Sequence, residues 1–284
     1  MNSIPVNIGG KCNNNCLCCK NEKTYTKNFE EIQEILKKNK EMANKIIFTG
    51  GEITMRKDFF EIIDTVKQNN YTLYIESNGR MFASKRFSQK SANIGPDKII
   101  IYLYGQIRNQ HDYITRVPGS FRQTIKGIKN LISLRANVAT NIVITKSNYR
   151  DIPNILRLCQ GLGIRSHHIT FKEPIGTLKD NFDSVVPRML SLTPFLNEIL
   201  RSKKNYSKIY FHNIPFCVFK PNGNSLANKM AQDIEIDENT ILQENSQEKI
   251  KLPECTKCKY FNVCAGIWKE YVNKVGNKEF EPVK

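Results

Sequence analysis

The chain is 284 residues long, 40% hydrophobic and 25% charged, ordinary proportions for a globular protein with one large core or two smaller ones. No window approaches the roughly 18 uninterrupted apolar residues of a membrane span. MNSIPVNIGG also lacks the basic and apolar regions of a secretory signal, so a cytoplasmic protein with no membrane association is expected. The net charge of +16 would suit tRNA or an acidic peptide, but lysine is spread along the chain and no basic helix is interleaved with aromatics. A Lys- and Asn-rich background is the expected reading of that charge.

In chain order, short apolar runs alternate with longer amphipathic stretches. IPVNI (4–8) predicts the first strand, and NFEEIQEILKKNKEM from Asn28 the first helix, with apolar residues three and four apart. KIIFTG (45–50) and TLYIES (72–77) predict the next two strands, separated by the helical KDFFEIIDTVKQNN from Lys57. KIIIYLYG (98–105) reads as a fourth strand, followed by SFRQTIKGIKNLISL with Ser120 placed as its N-cap. VATNIVIT (138–145) and SHHITF (166–171) flank the helical DIPNILRLCQGLG, whose Ile152, Ile155, Leu156, Cys159 and Leu162 share one stripe. Continuous β-branched runs suit strands buried on both faces. Repeated about six times with helices, they predict an α/β fold, a parallel sheet or open barrel. After Phe171 the rhythm changes. A helix is expected over 185–204, KIYFHNIPFCVF reads as strand then turn, and the polar 220–252 reads as a loop.

Nine cysteines in a chain of this kind are more often metal ligands or catalytic groups than disulfides. Four of them, Cys12, Cys16, Cys18 and Cys19, fall in KCNNNCLCCKNE; Cys255, Cys258 and Cys264 fall in CTKCKYFNVCAGIW. Two clusters at opposite ends suggest two metal sites. Cys12-x3-Cys16-x2-Cys19 is not zinc-finger spacing, whereas three thiolates on one loop can hold three irons of a [4Fe–4S] cube and leave the fourth open. The loop directly follows the first strand, at the strand end where α/β proteins place their chemistry. Asn13, Asn14 and Asn15 suit a tightly wrapped chain, because Asn tolerates unusual backbone angles. Cys159, on a buried stripe, reads as core.

Four stretches in order resemble the radical S-adenosylmethionine (radical SAM) superfamily. They are the cysteine loop, FTGGEITMRKDF with Gly50-Gly51-Glu52, ESNGR with Ser77, Asn78 and Gly79, and HDYITRVPGSFRQTIKGIKNL from His111. The last resembles the molybdenum-cofactor-synthase and SPASM branch. The resemblance covers roughly residues 4–171 and implies a partial (β/α)6 TIM-like barrel, with Cys12, Cys16 and Cys19 holding a [4Fe–4S] cluster. It also implies S-adenosylmethionine as cofactor, a flavodoxin- or ferredoxin-type electron donor, and reductive cleavage to a 5′-deoxyadenosyl radical that abstracts a substrate hydrogen. By the same resemblance, carbonyls of Gly50, Gly51 and Glu52 receive the methionine ammonium. Ser77 and Asn78 lie at the ribose or carboxylate, and Asn141 on the fifth strand is a further cofactor-binding candidate. Gly50 and Gly51, lacking Cβ, would let the backbone approach the ligand. The family usually has an aromatic residue where this chain has Cys18, which reads as a packing residue, an alternative ligand or a nearby thiol. His111 and Asp112 read as a structural pair, and His167 and His168 should face opposite sides of their strand.

The second group, Cys255-x2-Cys258-x5-Cys264, resembles the C-terminal half of SPASM or twitch domains. With Cys217 as fourth ligand, held by the Pro215 turn, the count supports one auxiliary [4Fe–4S] cluster. Zinc competes, since C-x2-C pairs are common in zinc sites; the x5 spacing and the family context favour iron. Cys217 could instead be a catalytic thiol that gives a hydrogen atom to a substrate radical. The expected domains are a core barrel (1–171), barrel completion and linker (172–216) and a twitch-like auxiliary domain (217–284). Members of this branch modify ribosomally made peptides by crosslinking, oxidation or epimerisation, and others act on small molecules. A peptide is therefore the expected substrate, with a small-molecule precursor or tRNA as alternatives. The first strand begins by Ile4, so no N-terminal peptide-recognition module is expected. A non-catalytic iron–sulfur electron carrier is the rival from another class, and such a carrier has no use for the elements around Gly50 and Ser77.

Overall fold

The computed structural model describes residues 3–19, 26–202, 208–219 and 248–284. Seven strands form one wholly parallel sheet in sequence order: β1 (Ser3–Asn7), β2 (Lys45–Thr49), β3 (Thr72–Ser77), β4 (Lys98–Leu103), β5 (Val138–Val143), β6 (Ser166–Thr170) and β7 (Lys208–His212). Helices α1 (Phe29–Lys38), α2 (Phe59–Gln68), α3 (Lys85–Ile94), α4 (Arg108–Thr115), α5 (Ser120–Ser133) and α6 (Ile152–Gly161) carry the first crossovers. Crossovers of one hand between strands in strict order curl such a sheet, here into a half-barrel. The expected α/β partial barrel is thus the observed architecture, extended by a seventh strand.

The sequence pattern explains the layers. Ile46, Phe48, Leu73, Ile75, Ile99, Ile101 and Leu103 alternate along β2 to β4 and join one core with Ile62, Ile63, Ile128 and Leu131 of the helices. The opposite, concave face pairs Tyr102 with Asn141, Asn141 with His168 and His168 with Tyr210 across β4 to β7. Helix α1 begins with a capping box: Asn28 Oδ1 accepts from Glu31 N at 2.8 Å and Glu31 Oε2 from Asn28 N at 2.7 Å.

Several expectations need correction. Ser120 is not the cap of α5: Gly119, at φ 82°, holds that position, and the Asp112 carboxylate accepts from Gly119 N and Phe121 N. The helix expected over 185–204 is divided into α8 (Phe182–Val185), a 3₁₀ turn (Met189–Leu192) and α9 (Thr193–Arg201), after the short α7 (Thr177–Asp180). Pro187 forces Val186 into an extended conformation, and Pro194 is tolerated only in the first turn of α9. Helix α3 has no apolar stripe to reveal it, because its buried positions are Ser88 and Ser91. Most of the loop expected over 220–252 lies outside the described residues.

Beyond β7 the chain forms a two-stranded antiparallel ribbon, β8 (Lys249–Ile250) with β9 (Ile267–Trp268), and helix α10 (Lys269–Val275). Trp268 donates to Phe171 O at 3.4 Å, and Tyr271 OH accepts from Met189 N at 2.7 Å while donating to Glu279. Both aromatic residues belong to the same core as the barrel strands. Among the described residues no helix is long and apolar enough to cross a membrane.

Candidate functional site

At the C-terminal ends of β1 to β4 a cleft is lined by Cys12, Cys16 and Cys19 together with Gly50, Gly51, Ser77 and Asn78. Asn14, Thr49, Glu76, Tyr102, Tyr104 and Lys172 complete its walls. Seven residues singled out from sequence thus meet at one place. Two others do not line it. Glu52 is 2% exposed and turned into the protein, and Asn141 is fully buried on β5, its Oδ1 accepting from Thr170. Cys18 is 1% exposed and packs in the core, unlike its three half-buried neighbours. Cys159 is likewise core, where burial pushes its thiol up to about 12.

The cysteine loop is braced on every side. Gly51 N donates to Gly9 O at 2.5 Å and Glu52 N to Lys11 O at 2.7 Å. A Cβ on Gly50, whose φ is 143°, would sit 2.5 Å from Gly9 O, and one on Gly51 would strike Lys11 O. The missing Cβ atoms thus admit the backbone of the cysteine loop, which fills the space they leave. Glu52 accepts from Ser77 Oγ at 2.8 Å, from Asn78 N at 2.6 Å and from Thr54, so its carboxylate ties the end of β2 to the end of β3. Desolvation raises its pKa in spite of those donors. None of the three asparagines has a positive φ, and Asn13 and Asn14 act through their side chains. Asn13 Oδ1 accepts from Asn78 Nδ2 at 2.6 Å, and Arg80 donates to Asn14 Oδ1 at 2.8 Å and to Asn13 O. Asn14 N approaches Cys12 Sγ at 3.3 Å.

The HDYIT segment supplies the rear wall. Thr115 O and Ile114 O accept from Asn15 N and Leu17 N, each at 2.9 Å, on either side of Cys16. The side chains of His111 and Asp112, expected as a structural pair, hydrogen-bond to separate partners. His111 Nδ1 accepts from Tyr104 N at 3.3 Å, and Asp112 organises the start of α5. His167 and His168 do face opposite ways, towards Thr140 and His212 respectively. Tyr102 OH donates to Glu76 at 2.9 Å, and Lys172 Nζ lies 5.1 Å from the Tyr102 ring centre. Tyr102, Tyr104, Lys172 and Glu76 went unrecognised in the sequence. Their only signal was position at or just past a strand end.

A second, narrow cleft lies at the C-terminal ribbon and is lined by Cys217, Cys255, Cys258 and Cys264 with Phe216 and Phe261. Cys217 sits in a 3₁₀ turn just after β7, and Cys255 in another (Pro253–Lys257). Phe216 stacks on Tyr260 with ring centres 4.7 Å apart, clamping the two turns together. Burial, and then the charges of Cys264, Cys255 and Cys258, push the Cys217 thiol up to about 12. In the first cleft burial likewise raises Cys12 and Cys16, with Cys18 and Cys12 adding to Cys16. Three cysteine sulfurs on the first cleft and four on the second are soft donor sets of the kind that iron–sulfur clusters take. Among the described residues no three His, Cys, Asp or Glu side chains converge on a single-ion site.

Residues 6–159, more than half of the chain, match the family model described as the radical SAM superfamily. The chain belongs to the radical SAM superfamily. It is a radical SAM enzyme, and the family implies a [4Fe–4S] cluster and S-adenosylmethionine, which the donor set of the first cleft fits. An AdoMet-dependent heme synthase from Nitratidesulfovibrio vulgaris is 27% identical over 189 residues, 64% of this chain and 51% of its own. A probable GTP 3′,8-cyclase from Saccharolobus islandicus is 29% identical over 183 residues, 62% of this chain and 58% of its own. The radical SAM chain thus spans little more than half the length of these curated relatives. Streptococcus suis SuiB bound to S-adenosylmethionine shares the fold at a TM-score of 0.64 and 16% identity, over 99% of this chain and 76% of that one. Native anSMEcpe with bound AdoMet and Cp18Cys peptide does so at 0.64 and 14%, over 99% and 92%.

Proposed function

We propose that this radical SAM enzyme modifies a ribosomally made peptide, by crosslinking, oxidation or epimerisation, with the help of an auxiliary [4Fe–4S] cluster. The observation that carries the reading is the convergence of Cys217 with Cys255, Cys258 and Cys264 on one cleft, from segments separated by β8 and a long stretch of chain. In this reading residues 217–284 are a twitch- or SPASM-like unit following the core barrel (1–171) and its completion (172–216). Cys217 is a ligand rather than a lone catalytic thiol.

In the first cleft Cys12, Cys16 and Cys19 hold the cluster that, with S-adenosylmethionine bound, supplies a radical for hydrogen abstraction. Gly50 and Gly51 present backbone at the cleft, and Ser77 and Asn78 offer polar groups to the cofactor, held in place by Glu52 from behind. Asn141 lies off this cleft and serves the cofactor only if the concave face extends the site. Tyr102, Tyr104 and Lys172 wall the cleft and limit the entry of water. Full protein ligation of the auxiliary cluster favours electron relay or bracing over direct substrate binding.

Support for a peptide comes from SuiB, whose structure is known bound to the precursor peptide SuiA, and from peptide-bound anSMEcpe. A small-molecule substrate is the second reading, favoured by the heme synthase and GTP cyclase relatives. The test is 5′-deoxyadenosine release by the anaerobically reconstituted enzyme, offered short peptides encoded beside its gene, GTP or a heme precursor. Stimulation and a mass or stereochemical change on a peptide are expected. The Cys217→Ala variant should lose that product yet keep some unproductive cofactor cleavage. Turnover of GTP or the heme precursor alone would overturn the peptide reading.

A further inference from the structure

The outer surface of α4 and α5 is basic and stands directly behind the cysteine loop. From Ile107 to Ser133 the chain carries Arg108, Arg116, Arg122, Lys126 and Lys129 against one acid, Asp112. The Asp112 carboxylate is occupied by Gly119 N, Ser120 Oγ and Phe121 N at 2.7, 2.7 and 2.8 Å. All five basic side chains are exposed, and no ion pair among the described residues engages them. Arg108, Tyr113, Pro118 and Arg122 line an open depression, next in the chain to Ile107, and Tyr113 and Ile107 are 45% and 52% exposed.

This surface reaches the thiols by a short route. Thr115 O and Ile114 O, at the end of α4, accept from Asn15 N and Leu17 N at 2.9 Å, so one hydrogen bond and one peptide unit separate the helix from Cys16. Neither Arg108, Tyr113 nor Arg122 lines the cleft at Gly50 and Ser77. An occupant of this face is therefore close to the cysteines and away from the cleft where cofactor and substrate meet. That is the placement an electron supplier requires, and a peptide or nucleic-acid substrate gains nothing from it.

We propose that the α4–α5 face docks a small acidic one-electron carrier protein, steered by Arg108, Arg122 and Lys126 and seated on Tyr113 and Ile107. The inference rests on Cys12, Cys16 and Cys19 holding the radical-generating cluster. One electron leaves the reduced carrier, which is oxidised by one equivalent, and enters the cluster on those thiols; no atom or proton need be exchanged. A few exposed apolar contacts within a charged surface suit the small, salt-sensitive interfaces of transient electron transfer.

Stopped-flow mixing of reduced flavodoxin with the anaerobically reconstituted enzyme, followed by flavin absorbance, tests this. Reversing Arg108, Arg122 and Lys126 together to Glu should slow the second-order rate about tenfold at low ionic strength and flatten its salt dependence. Iron content and reduction by a photoreduced deazaflavin should stay unchanged. The charge-matched control, Lys37→Glu, Lys38→Glu and Lys40→Glu at the end of α1, should keep the native rate. A native rate in the triple variant overturns the proposal, as does an equal loss in the α1 control. Loss of iron or of deazaflavin reduction in the triple variant would show that these side chains support the cluster instead. Binding of total tRNA that the triple reversal removes, with the flavodoxin rate untouched, would assign the face to nucleic acid. Failure of the wild-type protein to accept electrons from either reductant would overturn the assignment of Cys12, Cys16 and Cys19, not the docking face.

Discussion

The two cysteine sets are built by opposite means. The first lies on one loop, and its backbone is held by elements from across the barrel: β2 through Gly51 and Glu52, β3 through Asn78 and Arg80, α4 through Ile114 and Thr115. The second gathers four thiols from two distant segments, and its turns rest mainly on themselves. Cys255 N donates to Leu252 O, Cys258 N to Cys255 O and Cys264 N to Tyr260 O, all at 2.9 Å, with the Phe216–Tyr260 stack as a bridge. A loop shaped by the fold keeps its form without a metal, whereas turns joined through their thiols depend on what those thiols hold. Ligand number follows the same division. On the proposed reading, three thiols beside a polar cleft leave one corner of a cluster open for a cofactor, and the four of an auxiliary cluster would leave none.

The sharpest way to break this comparison is at Gly51. A Cβ there meets Lys11 O, so Gly51→Ala must displace the cysteine loop. It should cost the first set its iron and lower cofactor cleavage more than about a hundredfold, roughly 2.7 kcal/mol or more. The second set should remain loaded, as iron analysis with electron paramagnetic resonance would reveal. Simultaneous loss of both clusters would show that the two regions are not independent.

A smaller effect is expected at Glu52. Glu52→Ala leaves Ser77 Oγ and Asn78 N buried without their acceptor, at a cost on the order of 1–3 kcal/mol for each orphaned group. Iron analysis should find the cluster nearly intact, and calorimetric titration should find cofactor affinity about tenfold weaker, since 1.4 kcal/mol is a factor of ten. Unchanged affinity would mean that the Ser77–Asn78 turn does not need this tie. Cys18→Ala should be the mildest change. It removes one buried sulfur, destabilises by about 1 kcal/mol in thermal melts of the apoprotein, and keeps iron and cofactor cleavage. Loss of the first cluster in that variant would make Cys18 a ligand.

How far each region could be read in the sequence follows from the same contrast. The seven barrel strands and the buried stripes of α1, α2, α5 and α6 were legible because apolar periodicity records burial directly, whereas the short β8 and β9 were not. Helix α3 was not, since Ser88 and Ser91 face its neighbours, and the division of 185–204 needed the weight of Pro187 and Pro194. Cys12, Cys16, Cys19, Gly50, Gly51, Ser77 and Asn78 were legible as spaced motifs at strand ends, and they do share a cleft. Tyr102, Tyr104 and Lys172 were not, because single residues become neighbours there only once the sheet curls. Glu52 and the three asparagines were visible, but their hydrogen-bonding work depends on partners remote in sequence. Cys217 is the reverse case. Counting thiols suggested its partners, and the fold brings it to their cleft.

Iron and sulfide counting on the anaerobically reconstituted chain tests the two-cluster account most directly. About eight irons and eight sulfides per chain are expected, falling to about four of each when Cys12, Cys16 and Cys19 are replaced together by Ala, and again to about four in Cys217→Ala. The first variant should lose all cofactor cleavage, and the second should retain part of it. About four irons with one zinc per chain in the unaltered protein, or a Cys217→Ala protein that keeps all eight irons, would contradict the account.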